Sequence, residues 1–132
     1  MLSARYDVLG IGNAIVDVIA RADEDFLLRQ GMRKGTMALI DQKRAEAIYD
    51  AMGPVIEMSG GSAANTIVGL ASLGARAAFV GKVKDDLLGR AFAHDIRASG
   101  VAFDTAPASA GPSTGRCYVL VTPDGERTMN TY

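Results

Sequence analysis

The sequence is poor in the groups that most often mark special chemistry. Cys117 is its single cysteine and His94 its single histidine. One thiol excludes an internal disulfide framework, and one thiol with one imidazole cannot assemble a Cys/His cluster, so a cytoplasmic protein with no metal site of its own is expected. Long apolar runs are also missing: Gly, Asp and Arg interrupt every hydrophobic stretch far short of a membrane span, and Met1-Leu-Ser-Ala-Arg-Tyr-Asp7 carries no apolar targeting core. No sign of charge dominates. The 14 basic and 15 acidic residues leave a formal charge of -1 and are interspersed, which argues against a nucleic-acid backbone or an anionic membrane as partner.

What is present is the composition of a folded domain: 132 residues, of which 48% are hydrophobic and 22% charged, enough for a real core. Tyr6 to Gly12 reads as a buried strand, and Ala14 to Ala20 as a second β-branched run around a solitary Asp17. Asp23 caps a short helix that stops at Gly31, and Thr36 to Ile40 is a short strand. Asp41 opens a helix over Gln42 to Met52 that Gly53-Pro54 ends, and Val55 to Met58 is extended. A helix from Ser62 to Gly74 leads into a strand over Ala77 to Val83. Asp85 or Asp86 opens the next helix, which stops at Gly100 before an extended run from Val101 to Asp104. Pro107 to Gly115 is a turn-rich connection, and Arg116 to Thr122, Pro123-Asp-Gly125 and Arg127 to Tyr132 form a β-hairpin. Helices alternating with buried strands predict the α/β class with a mainly parallel sheet covered on both faces. The hairpin enters a strand at its last residues, so the chain is expected to be a segment of something longer.

Two glycine-rich turns invite a phosphate-binding reading, and neither sustains it. Gly10-Ile-Gly12 follows a strand, yet Ile15 stands where a dinucleotide fingerprint needs its third glycine and the next element is β-branched strand. Ser59-Gly-Gly-Ser-Ala-Ala-Asn65 runs into a helix but lacks the Lys-[Ser/Thr] pair of a P-loop. A plain helix cap by Ser59 or Ser62 is the simplest alternative. Two glycines also clear side chains from a helix terminus, where Asn65 offers both donor and acceptor, and such a floor suits the hydroxyls of a polyol. Asp17 argues alike: a carboxylate inside Ile-Val-Asp-Val-Ile needs partners if buried, and a pair of sugar hydroxyls would serve; an edge-strand solvent position is the alternative. His94, mid-helix, is assigned no role, Cys117 is read as a buried structural thiol, and Arg127 as a solvated charge.

Taken together, Gly10-Ile-Gly-Asn-Ala-Ile-Val-Asp17, Ser59-Gly-Gly-Ser-Ala-Ala-Asn65 and Leu73-Gly-Ala-Arg-Ala-Ala-Phe-Val-Gly-Lys-Val-Lys-Asp-Asp-Leu-Leu-Gly-Arg-Ala-Phe92 resemble the PfkB carbohydrate kinase family, also called the ribokinase family. The third segment is similar to that family's N-terminal signature. Asn13 with Asp17, the insertion Ala22 to Met52 and Pro112-Ser-Thr-Gly-Arg-Cys117 resemble the adenosine kinase branch.

The resemblance implies a ribokinase-like three-layer α/β/α fold with a small β-sheet lid, incomplete here, with lid pieces at about 14–20, 36–40 and 116–132 inserted in the core. It implies ATP-dependent phosphorylation of a primary hydroxyl of a ribonucleoside, adenosine before a free sugar, with ATP and Mg2+ as cofactors and a homodimer through the lid as the partner arrangement. Asp17 would hold two sugar hydroxyls; Asn13, Gly60, Gly61 and Asn65 would complete the polar pocket, and Leu39, Cys117, Thr128 and Asn130 would pack the base. The family's Gly-x-Gly-Asp motif, which supplies the base for the acceptor hydroxyl, occurs nowhere in the 132 residues. The chain by itself is therefore expected to be inactive. A non-catalytic sugar- or nucleoside-binding module and a ligand-free structural domain are the competing readings.

Overall fold

The computed structural model describes residues 4–132. In chain order the elements are β1 (Val8–Ile11), β2 (Ile15–Arg21), α1 (Glu24–Arg29), β3 (Met37–Leu39), α2 (Gln42–Ala51), β4 (Ile56–Gly60), α3 (Ser62–Ser72), β5 (Ala77–Val80), α4 (Leu87–Ala98), β6 (Gly115–Val121) and β7 (Arg127–Thr131). The expected elements are present with shifted ends, except that the run after Gly100 makes only a single bridge, Ala102 to Ala78. The class is α/β, as the alternation predicts. The chain divides into two compact units, one holding the residues up to Val16 with Ser59–Gly115, the other Asp17–Met58 with Arg116–Tyr132.

In the first unit β1 and β5 pair in parallel, Val8 opposite Ala77 and Gly10 opposite Phe79. Strand alternation sends Val8, Gly10, Ala77 and Phe79 to one face, and there α3 and α4 lay down Ala64, Ile67, Phe92 and Ile96. Phe79, Phe92 and Phe103 form an aromatic centre with ring centroids 5.7 to 6.1 Å apart, close enough for edge and offset contacts beyond simple burial. Asp86 starts α4 by accepting from the Gly89 amide at 2.8 Å, and the same carboxylate receives the Thr114 hydroxyl at 2.7 Å and the Thr114 amide at 2.9 Å. A helix cap is thereby joined to the turn that leads into β6. Gly89 is buried against this junction, where any Cβ would meet the Lys84 carbonyl at 2.0 Å.

In the second unit the strand order is β3-β7-β6-β2-β4. β6 and β7 are the expected hairpin, Cys117 opposite Thr131 and Leu120 opposite Thr128, while β3 joins β7 in parallel, so this sheet is mixed. One face is covered by α1 and α2, capped by Asp23 and Asp41 as their sequence positions predict. Leu27, Ala45 and Ile48 pack there on Val18, Ala20, Tyr118 and Leu120. Lys34 fastens the rim of this unit, bonding Glu24 at 2.5 Å and Asp124 of the hairpin turn at 2.6 Å.

Candidate functional site

The glycine turns of the first unit meet backbone to backbone. Gly61 stands at φ 96°, a conformation that favours glycine, and a Cβ on it would lie 2.7 Å from the Asn13 carbonyl oxygen. A Cβ on Gly12 would lie 2.7 Å from the Ala63 methyl. The chain around Asn13 is thus pressed against the start of α3, the room at Gly61 being filled by main chain and that at Gly12 by the Ala63 methyl. Gly60 is buried, while Asn13 and Asn65 are exposed. Asn65 belongs to the first turn of α3, its amide donating to the Gly61 carbonyl at 2.8 Å. Four of the predicted site residues, Asn13, Gly60, Gly61 and Asn65, therefore gather at one turn.

Neither serine caps that helix. Gly61 is the N-cap residue and makes no side-chain cap bond. Ser59 instead donates to the Asp95 carboxylate on α4 at 2.5 Å, and Asp95 also lies 3.2 Å from the His94 ring. The Ser59 hydrogen bond, with a smaller contribution from His94, holds the Asp95 carboxyl below its usual range.

Asp17, the fifth residue, belongs to the second unit. Along β2 the side chains Val16, Val18 and Ala20 are buried while Ile15, Asp17 and Ile19 are half-buried. Val18 packs with Tyr118 on the helix-covered face, so alternation places Asp17 and Cys117 on the open one. Burial raises the Asp17 carboxyl above its ordinary value, and the Arg127 charge offsets part of the rise. Burial likewise pushes the Cys117 thiol up, and the Thr131 hydroxyl donates to its sulfur at 3.4 Å. A thiol so placed is a packing group and not a nucleophile.

The four residues expected around a base divide between the two faces. Leu39 is opposite Thr131, and Thr131 is opposite Cys117, so these share the open face with Met129 and Met37. Leu39 is 79% exposed there. Thr128 and Asn130 point the other way: Thr128, 2% exposed, accepts the Gly35 amide at 3.0 Å, and Asn130, 5% exposed, approaches the Met32 sulfur at 3.6 Å. Met129 and Thr131 are the open-face residues that sequence reading passed over. The signal available was the two-residue strand period counted from Cys117 across the hairpin. A cavity of about 590 Å³ beside α4 is lined by Lys84, Arg90, His94 and Phe103 among others, and none of the predicted site residues borders it.

Residues 41–132 match the family described as pfkB family carbohydrate kinase. The chain belongs to this family. Solved structures agree over nearly all of its length: adenosine kinase from Sinorhizobium meliloti, 60% identical with a TM-score of 0.92, and a probable sugar kinase from Rhizobium etli CFN 42, 53% identical with a TM-score of 0.93. Each alignment covers 98% of this chain and 39% of the other. A probable fructokinase-4 from Arabidopsis thaliana is 36% identical over 86 residues, 65% of this chain and 26% of that protein. The ribokinase-like fold is thereby shown, and the chain spans well under half the length of these relatives. Among the described residues no group of three or more His, Cys, Asp or Glu is placed to hold a metal ion. No helix among them is long and apolar enough to cross a membrane.

Proposed function

We propose that the whole protein phosphorylates a primary hydroxyl of a ribonucleoside, adenosine first, and that this chain supplies the acceptor-binding residues. The observation that carries the reading is Asp17: a half-buried carboxylate, within reach of the Arg127 charge, on an open sheet face that also carries Leu39, Met129, Cys117 and Thr131. An apolar surface suits the flat face of a base, and one carboxylate accepts from two vicinal hydroxyls at once. Asn13, Gly60, Gly61 and Asn65 add amide groups and backbone to the recognition of the sugar. The unit built from Asp17–Met58 and Arg116–Tyr132 is the lid in this reading. Thr128 and Asn130 support it from behind by filling its covered face.

ATP with Mg2+ supplies the phosphoryl group in such a kinase, and a cytoplasmic setting suits a single unpaired thiol. The base that takes the acceptor's proton is outside these residues, so the chain alone is inactive on this reading. Likeness to the Sinorhizobium adenosine kinase favours the nucleoside. Likeness to the Arabidopsis fructokinase gives a second reading, a free sugar as acceptor.

The deciding assay is ADP release by the full-length protein with adenosine, inosine, guanosine, ribose and fructose in turn. Adenosine is expected to give the highest kcat/KM; fructose or ribose ahead of it would establish the second reading, and silence with all five would remove both. Asp17→Ala should lower kcat/KM for the preferred acceptor about a hundredfold, the scale of lost hydrogen bonds to a charged group, while the KM for ATP stays within about twofold. An equal loss for both substrates contradicts the role given to Asp17.

A further inference from the structure

The bond between Ser59 and Asp95 joins residues 36 apart in sequence at 2.5 Å, the short range of a charge-assisted hydroxyl–carboxylate bond. Asp95 stands on α4 between two side chains that anchor that helix, Phe92 and Ile96, which are 1% and 3% exposed. Ser59 lies near the end of β4, directly before Gly60-Gly61, and the helix that follows, α3, has no side-chain cap of its own. On one side the turn is held by the close approach of Gly61 to the Asn13 carbonyl. On the other side the Ser59 side chain ties the end of β4 to α4, in addition to the pairing of β4 with β2.

We infer that Asp95 is a positioning residue for the acceptor site: it holds Ser59, and through Ser59 the glycine turn that carries Gly60, Gly61 and the start of α3. This rests on the reading of that turn as part of acceptor recognition. The same carboxylate lies 3.2 Å from the adjacent His94 ring. Asp95 touches no substrate in this proposal. Its effect is to keep the backbone and Asn65 at a fixed placement, and binding sites depend on such support to within a fraction of an ångström.

Two independent readouts on the full-length protein test it. In Asp95→Ala and in Ser59→Ala, amide hydrogen exchange at residues 60–62 without ligand should quicken about tenfold, the response of a segment losing its tether. In the kinetics with adenosine, the acceptor KM should rise about tenfold in both variants while kcat and the KM for ATP stay within about twofold, a split that general destabilisation does not produce. Asp95→Asn keeps an acceptor oxygen for the Ser59 hydroxyl and should recover most of both effects, and the double alanine variant should be no worse than either single one. Unchanged exchange at 60–62 overturns the inference, as does faster exchange with an unmoved acceptor KM. A wild-type protein inert toward every acceptor would sink the kinase reading instead, and the exchange result alone would then decide whether Asp95 tethers the turn.

Discussion

Asp17 occupies a position that costs the fold something. It sits half-buried in a strand of β-branched neighbours, and burial lifts its carboxyl above the ordinary value despite the opposing Arg127 charge. A group whose folded pKa exceeds its unfolded one weakens the native state once ionised, because the unfolded chain releases the proton more readily. As pH falls through the raised value toward the unfolded value of about 4, the folded state takes up its proton first and gains stability. Asp17→Asn cannot ionise. It is expected to melt higher than the wild type at pH 7, with the gap narrowing through the window between the two pKa values and vanishing below about pH 4. Thermal unfolding of both proteins across that range checks it, and a gap that persists undiminished at the acid end would assign the difference to something other than titration. A stabilising variant that also loses acceptor binding would mark Asp17 as kept for function. Asp17 was legible because an acid interrupting an apolar strand needs a partner. What Gly61 faces was not legible: the sequence says that space is needed, and only the fold shows that the Asn13 carbonyl fills it.

At the scale of elements, caps and stops were plain: Asp23, Asp41 and Asp86 each begin a helix with the carboxylate bonded to an amide three residues on. Gly31, Gly74 and Gly100 take positive φ just beyond the helices they end. The phase of β7 was harder to read: the resemblance grouped Thr128 and Asn130 with Leu39 and Cys117, and a one-residue offset exchanges the two faces of a strand, so that Thr128 and Asn130 lie on the covered face. Pairing across the hairpin restores the phase, with Met129 and Thr131 on the face of Leu39 and Cys117. The two faces predict opposite phenotypes in the full-length protein. Met129→Ala should raise the KM for adenosine severalfold, about 1 kcal/mol of lost apolar contact, with little change in melting. Asn130→Ala should instead lower stability by about 1 to 2 kcal/mol, since it hollows a packed face, and leave acceptor KM nearly unchanged. Melting curves and acceptor titrations of both variants check the assignment, and the reverse pattern would mean that the base packs against the other face.

At the scale of the whole chain, alternating helices and strands announced the α/β class but could not announce two cores, because the division cuts across chain order. Asp17–Met58 is excised from the middle and joined to Arg116–Tyr132 by pairing across nearly a hundred residues, as in Gly35 bonding Thr128. Such pairings depend on tertiary context that no local period encodes. The consequence is that each unit has its own packed centre, Phe79, Phe92 and Phe103 in one and Ile48, Val18 and Tyr118 in the other. Phe92→Ala and Ile48→Ala each remove a buried side chain and should cost about 3 to 5 and about 2 to 5 kcal/mol of local packing respectively. If the two centres are separate cooperative regions, the effects will be local in native-state hydrogen exchange of the full-length protein. Phe92→Ala should deprotect α4 and β5 while sparing α2 and β6, and Ile48→Ala should do the converse. Deprotection of all four elements by either substitution would show instead that the two cores open as one.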